Sequence, residues 1–382
     1  MKLKKKITAI LATLGLTAFA AFAMTGTASA AGETASVGFK LDPRGGTFFK
    51  DAYKPGNLSI ETSINVPPGS STIEPMKQAN LQLPGSNNVT FNIDPKMPVC
   101  PDSAVNATTV SVPVETIVAA CPKSIIGNGT AQFALAQQTA LARGGVIILF
   151  NGGKQASGPL KDQPRIKLYA YSYDTEVGLY TEAALAKDGS LDFPVPVLTA
   201  DSAVTSINLN IPGVPTSIDF PAKGITANLP AGQSPNYVQA KCTGSSFAFS
   251  GEFLLGDRPE GLPPGPTTTL TDSTSYACTG AAGKANFAGL RIKGPGKVKR
   301  GKKVTYKVKV KNNGTATARK GKLVVSGKGV KGKVTFGNLA AGKTKTVKVK
   351  VKFTKKGKVK AAFKATAAKT KAKTGKKTVK VQ

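Results

Sequence analysis

The chain of 382 residues contains no histidine and no tryptophan, and only four of its residues are cysteines. Without histidine it cannot build a Ser-His-Asp or Cys-His nucleophile system, nor a zinc, copper or iron site with histidine ligands. Glycine and proline number 41 and 25, and 40% of the residues are hydrophobic. This composition excludes a collagen-like or disordered chain and indicates a globular protein of two or three domains.

Acidic side chains are missing from the last quarter of the sequence. Residues 284–382 contain 30 lysines, three arginines and no aspartate or glutamate, whereas the preceding 283 residues hold 20 basic and 20 acidic side chains. The formal net charge of +33 is therefore the charge of this one segment. Such asymmetry along a chain is typical of a region with its own polyanionic partner.

Residues 1–30 read as an export signal. Residues 1–6 carry four lysines, residues 7–23 are apolar and uncharged, and Ala28-Ser29-Ala30 is a small-residue cleavage motif before Ala31. The alternative is an uncleaved membrane anchor, for which the apolar stretch falls short of the ~20 residues of a span. We therefore expect a secreted, extracellular protein, associated with the cell envelope, with no transmembrane segment in its mature form.

Export makes the four cysteines candidates for disulfide bonds. Four cysteines allow three pairings, and the local one, Cys100 with Cys121 and Cys242 with Cys278, closes the shortest loops. A zinc site built from all four is the rival interpretation, but no C-x-x-C pair supports it. We predict the two local disulfides.

Residues 31–283 have the pattern of a large antiparallel β-sandwich, braced by these disulfides, in one domain or two. Turn signals recur along them, and short runs rich in Val, Ile, Phe, Thr and Tyr lie between the turns, for example residues 88–93, 146–150, 166–173, 207–211 and 245–253. Residues 130–142 fit a helix or a strand about equally well. Residues 258–271 are rich in Pro, Gly and Thr and form either a linker or a long loop.

Residues 284–382 predict a small, lysine-rich, Ig-like sandwich of about seven strands. In residues 304–311 and 347–353 apolar side chains alternate with Lys or Thr, which places the apolar residues on one face and the lysines on the other. The overall fold class is therefore all-β. The candidate polyanion-binding residues on the two clearest strands are Lys307, Lys309, Lys311, Lys348, Lys350 and Lys352.

Specific motifs link this second region to a known family. Residues 297–301 lead into the strand 304–311, which runs into Asn312-Asn313-Gly314-Thr315-Ala316-Thr317-Ala318, and Leu339-Ala340-Ala341-Gly342 precedes the next alternating strand. The region resembles the bacterial CARDB-type Ig-like repeat, although typical members carry fewer lysines. The resemblance implies a stalk or adhesion role at the cell surface. The first region, around Cys100 and residues 121–129, resembles secreted actinobacterial proteins with no assigned activity.

Without histidine, acid-base chemistry rests mainly on paired carboxylates. Asp174 and Glu176 would share a face of a strand, or lie in the solvated turn of a hairpin. The alternating Tyr169, Tyr171 and Tyr173 could stack on sugar rings, or pack across strands. Asp257 and Glu260 beside glycines form a weak calcium-loop candidate without the D-x-D-x-D-G pattern. We favour the structural interpretation in each case and assign no catalytic residue, metal or cofactor.

The net charge of the lysine-rich region is larger than solubility requires, since a net charge of about 2–8 suffices for a small domain. We expect it to bind anionic cell-envelope polymers or other extracellular polyanions by charge density, in a salt-dependent way. Sequence-specific nucleic acid binding is not expected, because aromatic side chains are not interleaved with the lysines. The sequence therefore favours a non-enzymatic, envelope-associated binding or structural protein; the alternatives are a secreted carbohydrate-active enzyme with a basic targeting domain and a DNA-binding surface protein.

Overall fold

The computed structural model describes residues 32–85, 87–92, 96–106, 111–195, 203–256 and 267–382. The predicted export signal and the pair Asp257 and Glu260 lie outside this part of the chain. Within it, 25 strands account for most of the structure, with one short α-helix and four 3-10 turns. The prediction of an all-β fold is confirmed.

The first region contains 17 strands, nearly all of them paired antiparallel. In chain order they are β1 (Thr34–Pro43), β2 (Phe48–Phe49), β3 (Lys54–Asn65), β4 (Met76–Gln82), β5 (Val89–Phe91), β6 (Ile125–Ala134), β7 (Ala142–Lys154), β8 (Pro164–Ser172), β9 (Val177–Ala184), β10 (Ser190–Pro194), β11 (Ala203–Ile211), β12 (Thr216–Phe220), β13 (Ile225–Leu229), β14 (Val238–Ala240), β15 (Ser246–Gly256), β16 (Thr267–Ala277) and β17 (Gly280–Ala281). The helix is α1 (Val114–Ala120), and the 3-10 turns are Pro122–Ser124, Leu135–Gln137, Thr139–Leu141 and Pro221–Lys223.

Two sheets of this region pack face to face. The larger has the order β5-β14-β3-β11-β6-β7-β8-β9, with β1 paired to β3, and the smaller has the order β10-β4-β15-β16. Their apolar faces meet in one core, where the rings of Phe39 on β1 and Phe249 on β15 stack with centroids 5.0 Å apart. Alternating side chains of both sheets thus form the interior of a β-sandwich.

Strand β7 is buried on both faces. Ile147 and Leu149 point into the sandwich core, while Val146, Ile148 and Phe150 belong to a second core on the outer face of the large sheet. Helix α1 and the β12-β13 hairpin contribute to that second core. A strand covered on both faces reads as a continuous apolar run, which is why residues 146–150 do not alternate.

Residues 130–142, whose sequence fits a helix or a strand, form the end of a strand and two turns. Strand β6 continues to Ala134, and two 3-10 turns follow before β7.

Both predicted disulfides are present, Cys100–Cys121 and Cys242–Cys278. The first closes the segment that carries α1 over the second core, and the second ties the loop between β14 and β15 to the residue after β16. Each closes a loop of 21 or 36 residues, for which loop entropy contributes about 3 kcal/mol. The framework therefore braces the edges of the sandwich.

Two carboxylates meet in a buried site at the start of β1. Glu33 is 4% exposed, and its Oε1 accepts a hydrogen bond of 2.9 Å from the backbone N–H of Glu74. The second oxygens, Oε2 of Glu33 and Oε2 of Glu74, are both buried and have no hydrogen-bond donor. Burial raises the pKa of Glu33, and the neighbouring Glu74 charge raises it further, against the lowering effect of the backbone hydrogen bond.

This site predicts that Glu33→Gln stabilises the protein at neutral pH. Because folding raises the pKa of Glu33, the folded state keeps this proton to a higher pH than the unfolded state does. The free energy of unfolding therefore falls as pH rises above the unfolded pKa of about 4.3. A glutamine keeps the acceptor and supplies a donor for Glu74. Urea unfolding between pH 4 and 8 should show a higher midpoint for Glu33→Gln at pH 7 and a weaker fall with pH. Glu252→Gln, at an exposed position, is the control; a midpoint at pH 7 below that of the wild type would contradict the prediction.

The C-terminal region has eight strands rather than the expected seven. They are β18 (Arg291–Lys293), β19 (Lys297–Val298), β20 (Lys303–Lys311), β21 (Ala318–Gly327), β22 (Val330–Leu339), β23 (Thr344–Phe353), β24 (Gly357–Ala368) and β25 (Thr370–Val381), in the sheet order β18-β20-β23-β22-β21-β24-β25-β19. Strands β22 and β23 share only two residue pairs. On either side of this weak seam the halves face each other, and Tyr306 of β20 packs edge-to-face on Phe363 of β24 with centroids 5.3 Å apart. The result is a β-sandwich around one core.

Asn312 explains the Asn-x-Gly motif after β20. The side chain is fully buried, and its Oδ1 accepts hydrogen bonds from the N–H groups of Asn286 and Gly314. Its Nδ2 donates to the carbonyl oxygens of Ala316 and Leu339, at 2.7 and 3.0 Å. One amide thus satisfies four backbone groups from three chain segments, which is the full hydrogen-bonding capacity of an asparagine side chain.

We expect Asn312→Ala to lower the free energy of unfolding of the C-terminal region by about 3 kcal/mol or more. The substitution leaves four backbone groups without partners in the interior, and each unsatisfied group costs about 1–3 kcal/mol. Asn313→Ala, at the exposed neighbouring position, is the control and should change little. Amide hydrogen exchange of the C-terminal region under increasing urea gives the measurement; equal effects of the two variants would show that the Asn312 amide is not the anchor.

Candidate polyanion-binding surface

Strands β18, β20 and β23 lie side by side in antiparallel pairs and present one exposed, basic face. On β20 the residues Tyr306, Val308 and Val310 are buried, so period-two geometry turns the residues between them outward. We call this surface the lysine face. Its exposed residues are Arg291, Lys293, Lys303, Thr305, Lys307, Lys309, Lys311, Thr344, Thr346, Lys348, Lys350 and Lys352.

The six lysines selected from the sequence all lie on this face, three on β20 and three on β23. Three further cations, Arg291, Lys293 and Lys303, complete the face and were missed. Arg291 and Lys293 belong to a strand of three residues, too short for a periodic signal. Lys303 carries the alternation one step beyond residues 304–311, so this cation was within reach of the sequence pattern.

Lysines stand directly opposite lysines across the strands of this region. Cross-strand register aligns three rows of three: Lys293-Lys307-Lys348, Lys303-Lys352-Lys331, and Lys297-Lys380-Lys358. The first row lies wholly on the lysine face, and the second extends from it onto β22. Neighbouring strands are ~4.8 Å apart, and residues i and i+2 are ~6.7 Å apart along a strand. The cations thus form a two-dimensional array rather than isolated charges.

Such an array raises the energy of the free protein. Like charges directly opposite each other destabilise a sheet, and residues 284–382 contain no side-chain carboxylate to neutralise them. The repulsion is relieved when an external polyanion supplies the missing charge, and the release of its counterions adds a favourable entropy. An arrangement of this kind is able to bind dense negative charge.

A second close approach of cations occurs at the turns. Lys328 lies between β21 and β22, and Lys355 lies between β23 and β24. The nearby Lys328 side chain lowers the pKa of Lys355. Because a like charge disfavours the protonated form, this shift is the expected electrostatic signature of the crowding.

The three tyrosines of the first region do not form an exposed platform. They share one face of their strand, as predicted, but Tyr169, Tyr171 and Tyr173 are only 0%, 3% and 5% exposed. The second core encloses them, and the hydroxyl groups of Tyr169 and Tyr173 donate to the carbonyl oxygen of Val112 and the carboxylate of Glu115. A sugar needs an exposed ring face, so the carbohydrate contact proposed for these residues is not supported. The segment that carries α1 covers them, and local strand pattern could not show this.

The carboxylates Asp174 and Glu176 lie in the turn between β8 and β9, as the hairpin-turn interpretation predicted. Glu176 has a positive φ of 56°, and its exposed side chain pairs with Lys223 at 2.8 Å. This ion pair, with its hydrogen bond, lowers the pKa of Glu176. An ionised carboxylate in a solvated turn, paired to lysine, is not arranged as a general acid.

A buried cation on β8 was not predicted. The Lys167 side chain has no solvent exposure, and its Nζ lies 2.5 Å from Oδ1 of Asp102. Arg165 bridges the same aspartate and Glu182, at 3.3 and 3.1 Å. The hydrogen bond and charge of Lys167 lower the pKa of Asp102. In the sequence, the one sign of this buried cation is a charged residue that interrupts an apolar strand. We interpret the cluster as a set of ion pairs that joins β8, β9 and the loop after Cys100.

The described residues contain no group of three or more Cys, Asp or Glu side chains placed to hold a metal ion. Over the same part of the chain, no helix is both long enough and apolar enough to cross a membrane.

Comparison with known proteins finds similarity in the C-terminal region. The CARDB family model matches residues 289–374, which confirms the resemblance for this part of the chain. The matches give no support for the resemblance of the first region to actinobacterial proteins, and a search of curated proteins gives no match.

Among solved structures, the chain is similar to the crystal structure of red sea bream transglutaminase, at 10% identity and a TM-score of 0.23, covering 90% of this chain and 31% of that one. The chain thus spans about a third of that protein, and so low a TM-score supports no conclusion about fold or function.

The lysine rows predict that Lys307→Glu raises thermal stability at low salt. The new carboxylate would face Lys293 and Lys348 across the strands, so two repulsive contacts become attractive. Lys364→Glu changes the net charge equally, but Lys364 faces Val324 and Thr374. At low salt we expect a melting temperature about 2–4 °C higher for Lys307→Glu than for Lys364→Glu.

The difference should shrink in about 1 M NaCl, where the Debye length is ~3 Å. Scanning calorimetry at both salt concentrations tests this. Equal melting temperatures for the two variants at low salt would show that the cross-strand lysine contacts carry no energetic weight.

Proposed function

We propose that this protein is secreted, is not an enzyme, and attaches through the lysine face of its C-terminal region to anionic polymers outside the cell, such as those of the cell envelope. The observation that carries the proposal is the array of nine basic side chains on three adjacent strands, in a region without an acidic side chain. Export is supported by the sequence of residues 1–30 and by the two disulfides, because disulfides persist in oxidising compartments.

The first region is the part of the protein that such attachment would hold at the surface. Among its residues up to 283, acidic side chains outnumber basic ones after the predicted signal is removed, 20 to 16. Charge therefore does not draw this region to the same polymer. Its two cores and two disulfides give it an interior of its own, which suits a structural or binding module.

The alternative of a carbohydrate-active enzyme required exposed tyrosine rings and a pair of carboxylates in one concave site. The tyrosines that could have stacked on sugar are buried, and Asp174 and Glu176 occupy a solvated turn. The apolar cavity between the sheets is about 40 Å³, far below the ~300 Å³ of a ligand pocket, and the grooves of about 320 and 560 Å³ on this region lie open on its strand faces. We therefore retain the attachment function as the proposal.

The test compares retention of the mature chain, residues 31–382, on beads that carry polyphosphate, polygalacturonate or neutral dextran. We expect retention on both anionic supports and none on dextran, with steep release as NaCl is raised. A truncation that ends at residue 283 should not be retained. Retention of both proteins with little dependence on salt would overturn the proposal, since attachment would then reside in the first region.

Matched triple substitutions test whether the lysine face itself makes the contact. Lys307, Lys348 and Lys350 are changed to Gln in one variant, and the exposed Lys360, Lys364 and Lys376 of β24 and β25, which face no lysine across the strands, in the other. Each phosphate contact contributes about 0.7–0.9 to the slope of log K against log salt. On polyphosphate we expect the first variant to lose about two units of slope and the second much less. Equal losses would mean that total charge, and not this face, governs binding.

A further inference from the structure

A groove at the edge of the lysine face gathers its cations around open space. It has a volume of about 550 Å³ and is lined by Arg291 of β18, Lys309 and Lys311 of β20, and Thr344 of β23, with residues 288–290 as its remaining wall. Arg291 stands directly opposite Lys309, and Lys311 opposite Thr344, so the four polar side chains occupy two adjacent rows. A volume of this size accommodates one unit of a substituted polymer.

The chain holds this wall firmly in place. Phe287 is buried and packs against Phe336 with ring centroids 6.1 Å apart, and the N–H of Ala288 donates to the carbonyl oxygen of Lys311 at 2.9 Å. On the other side, a Cβ on Gly375 would lie 3.0 Å from Cδ1 of Ile292, so β18 packs tightly on β25. Arg291 is therefore carried by a strand that is fixed on both sides, which favours a defined binding geometry.

The opening of the groove is not filled by the protein. A Cβ added at Gly289 would meet no atom within 4 Å, so the backbone on this wall faces open space. The Arg291, Lys309, Lys311 and Thr344 side chains are all exposed. Three cations and a hydroxyl donor thus converge on a volume that an anion can enter.

The chemistry of these side chains favours a phosphate group. Arg291 is the one arginine on the lysine face, and a guanidinium presents a planar fork of N–H donors that matches two phosphate oxygens. The lysines add point charges without directional preference, and the Thr344 hydroxyl can donate to a further oxygen. A carboxylate can also pair with the fork, but its two oxygens lie in one plane, whereas a phosphodiester adds two ester oxygens in a tetrahedral arrangement, to which the Thr344 hydroxyl can donate.

We infer that this groove is a phosphate-binding subsite, in which the polymer that the lysine face attracts is recognised by its phosphodiester groups. The inference rests on the proposed function, because it assigns the ligand class of the same face. The array of lysines supplies charge-density attraction, and the groove adds preference for phosphate over carboxylate. The preference is geometric and rests on Arg291 together with Thr344, since the lysines around them attract either kind of anion.

The test is Arg291→Lys in the mature full chain, a substitution that keeps the charge and removes the fork. Binding is measured by titration calorimetry with an oligomer of glycerol phosphate and with oligogalacturonate of equal charge. We expect Arg291→Lys to weaken binding of the phosphate oligomer about tenfold and that of the carboxylate oligomer about threefold, because only the phosphate loses the fork and the Thr344 contact together. Arg319→Lys, at the exposed start of β21, is the matched control and should affect neither.

Backbone amide shifts locate the ligand independently. On titration with the phosphate oligomer, the resonances of Gly289 and Arg291 should move at lower concentration than those of the β24 and β25 strands. If the wild type binds both oligomers and Arg291→Lys changes neither or both equally, the phosphate subsite is overturned while the proposed attachment stands. If the wild type binds neither oligomer in a salt-dependent way, the attachment function fails, and the subsite fails with it.

Discussion

Repulsion between lysines that face each other across strands is the constraint on which the C-terminal region depends. Its sheet is held together by the opposite face of the same strands, where Tyr306, Phe353 and Phe363 meet in one core. The alternation of Val and Lys therefore couples the two properties of the region. On β20 and β23 every buried apolar residue has a cation beside it in the chain, so the core fixes the backbone positions of the basic array.

The same coupling bears on the proposed binding of a polyanion to this surface. Flexible basic tails also bind polyanions, but they lose conformational entropy when they do so. In this protein the strands set the backbone positions of the cations in advance, and only the side-chain ends remain to be ordered. The groove beside Gly289 extends this principle, because packing around Phe287 and Gly375 fixes the position of one arginine among many lysines.

In the first region, both faces of the large sheet are covered, at least in part. One face packs on the four-stranded sheet, and part of the other is covered by α1 and the β12-β13 hairpin. The disulfide between Cys100 and Cys121 closes the covering segment, while the Lys167 and Arg165 side chains join it to β8 through Asp102. A region covered and braced in this way suits the display role that we propose for it.

The sequence by itself determined the all-β class, the disulfide pairing and the position of the basic face. Each depends on a local rule: strand periodicity places Lys307 and Lys348 on one side, and short loops favour Cys100–Cys121 and Cys242–Cys278.

Only the tertiary structure decided which residues face each other and which are covered. It aligned lysine with lysine across strands, brought Arg291 beside Lys309, gave Asn312 four backbone partners and buried the tyrosines of β8 under a distant segment. The physical reason is that period two fixes the side of a strand to which a residue points. Register and packing between segments far apart in sequence fix what that residue meets there.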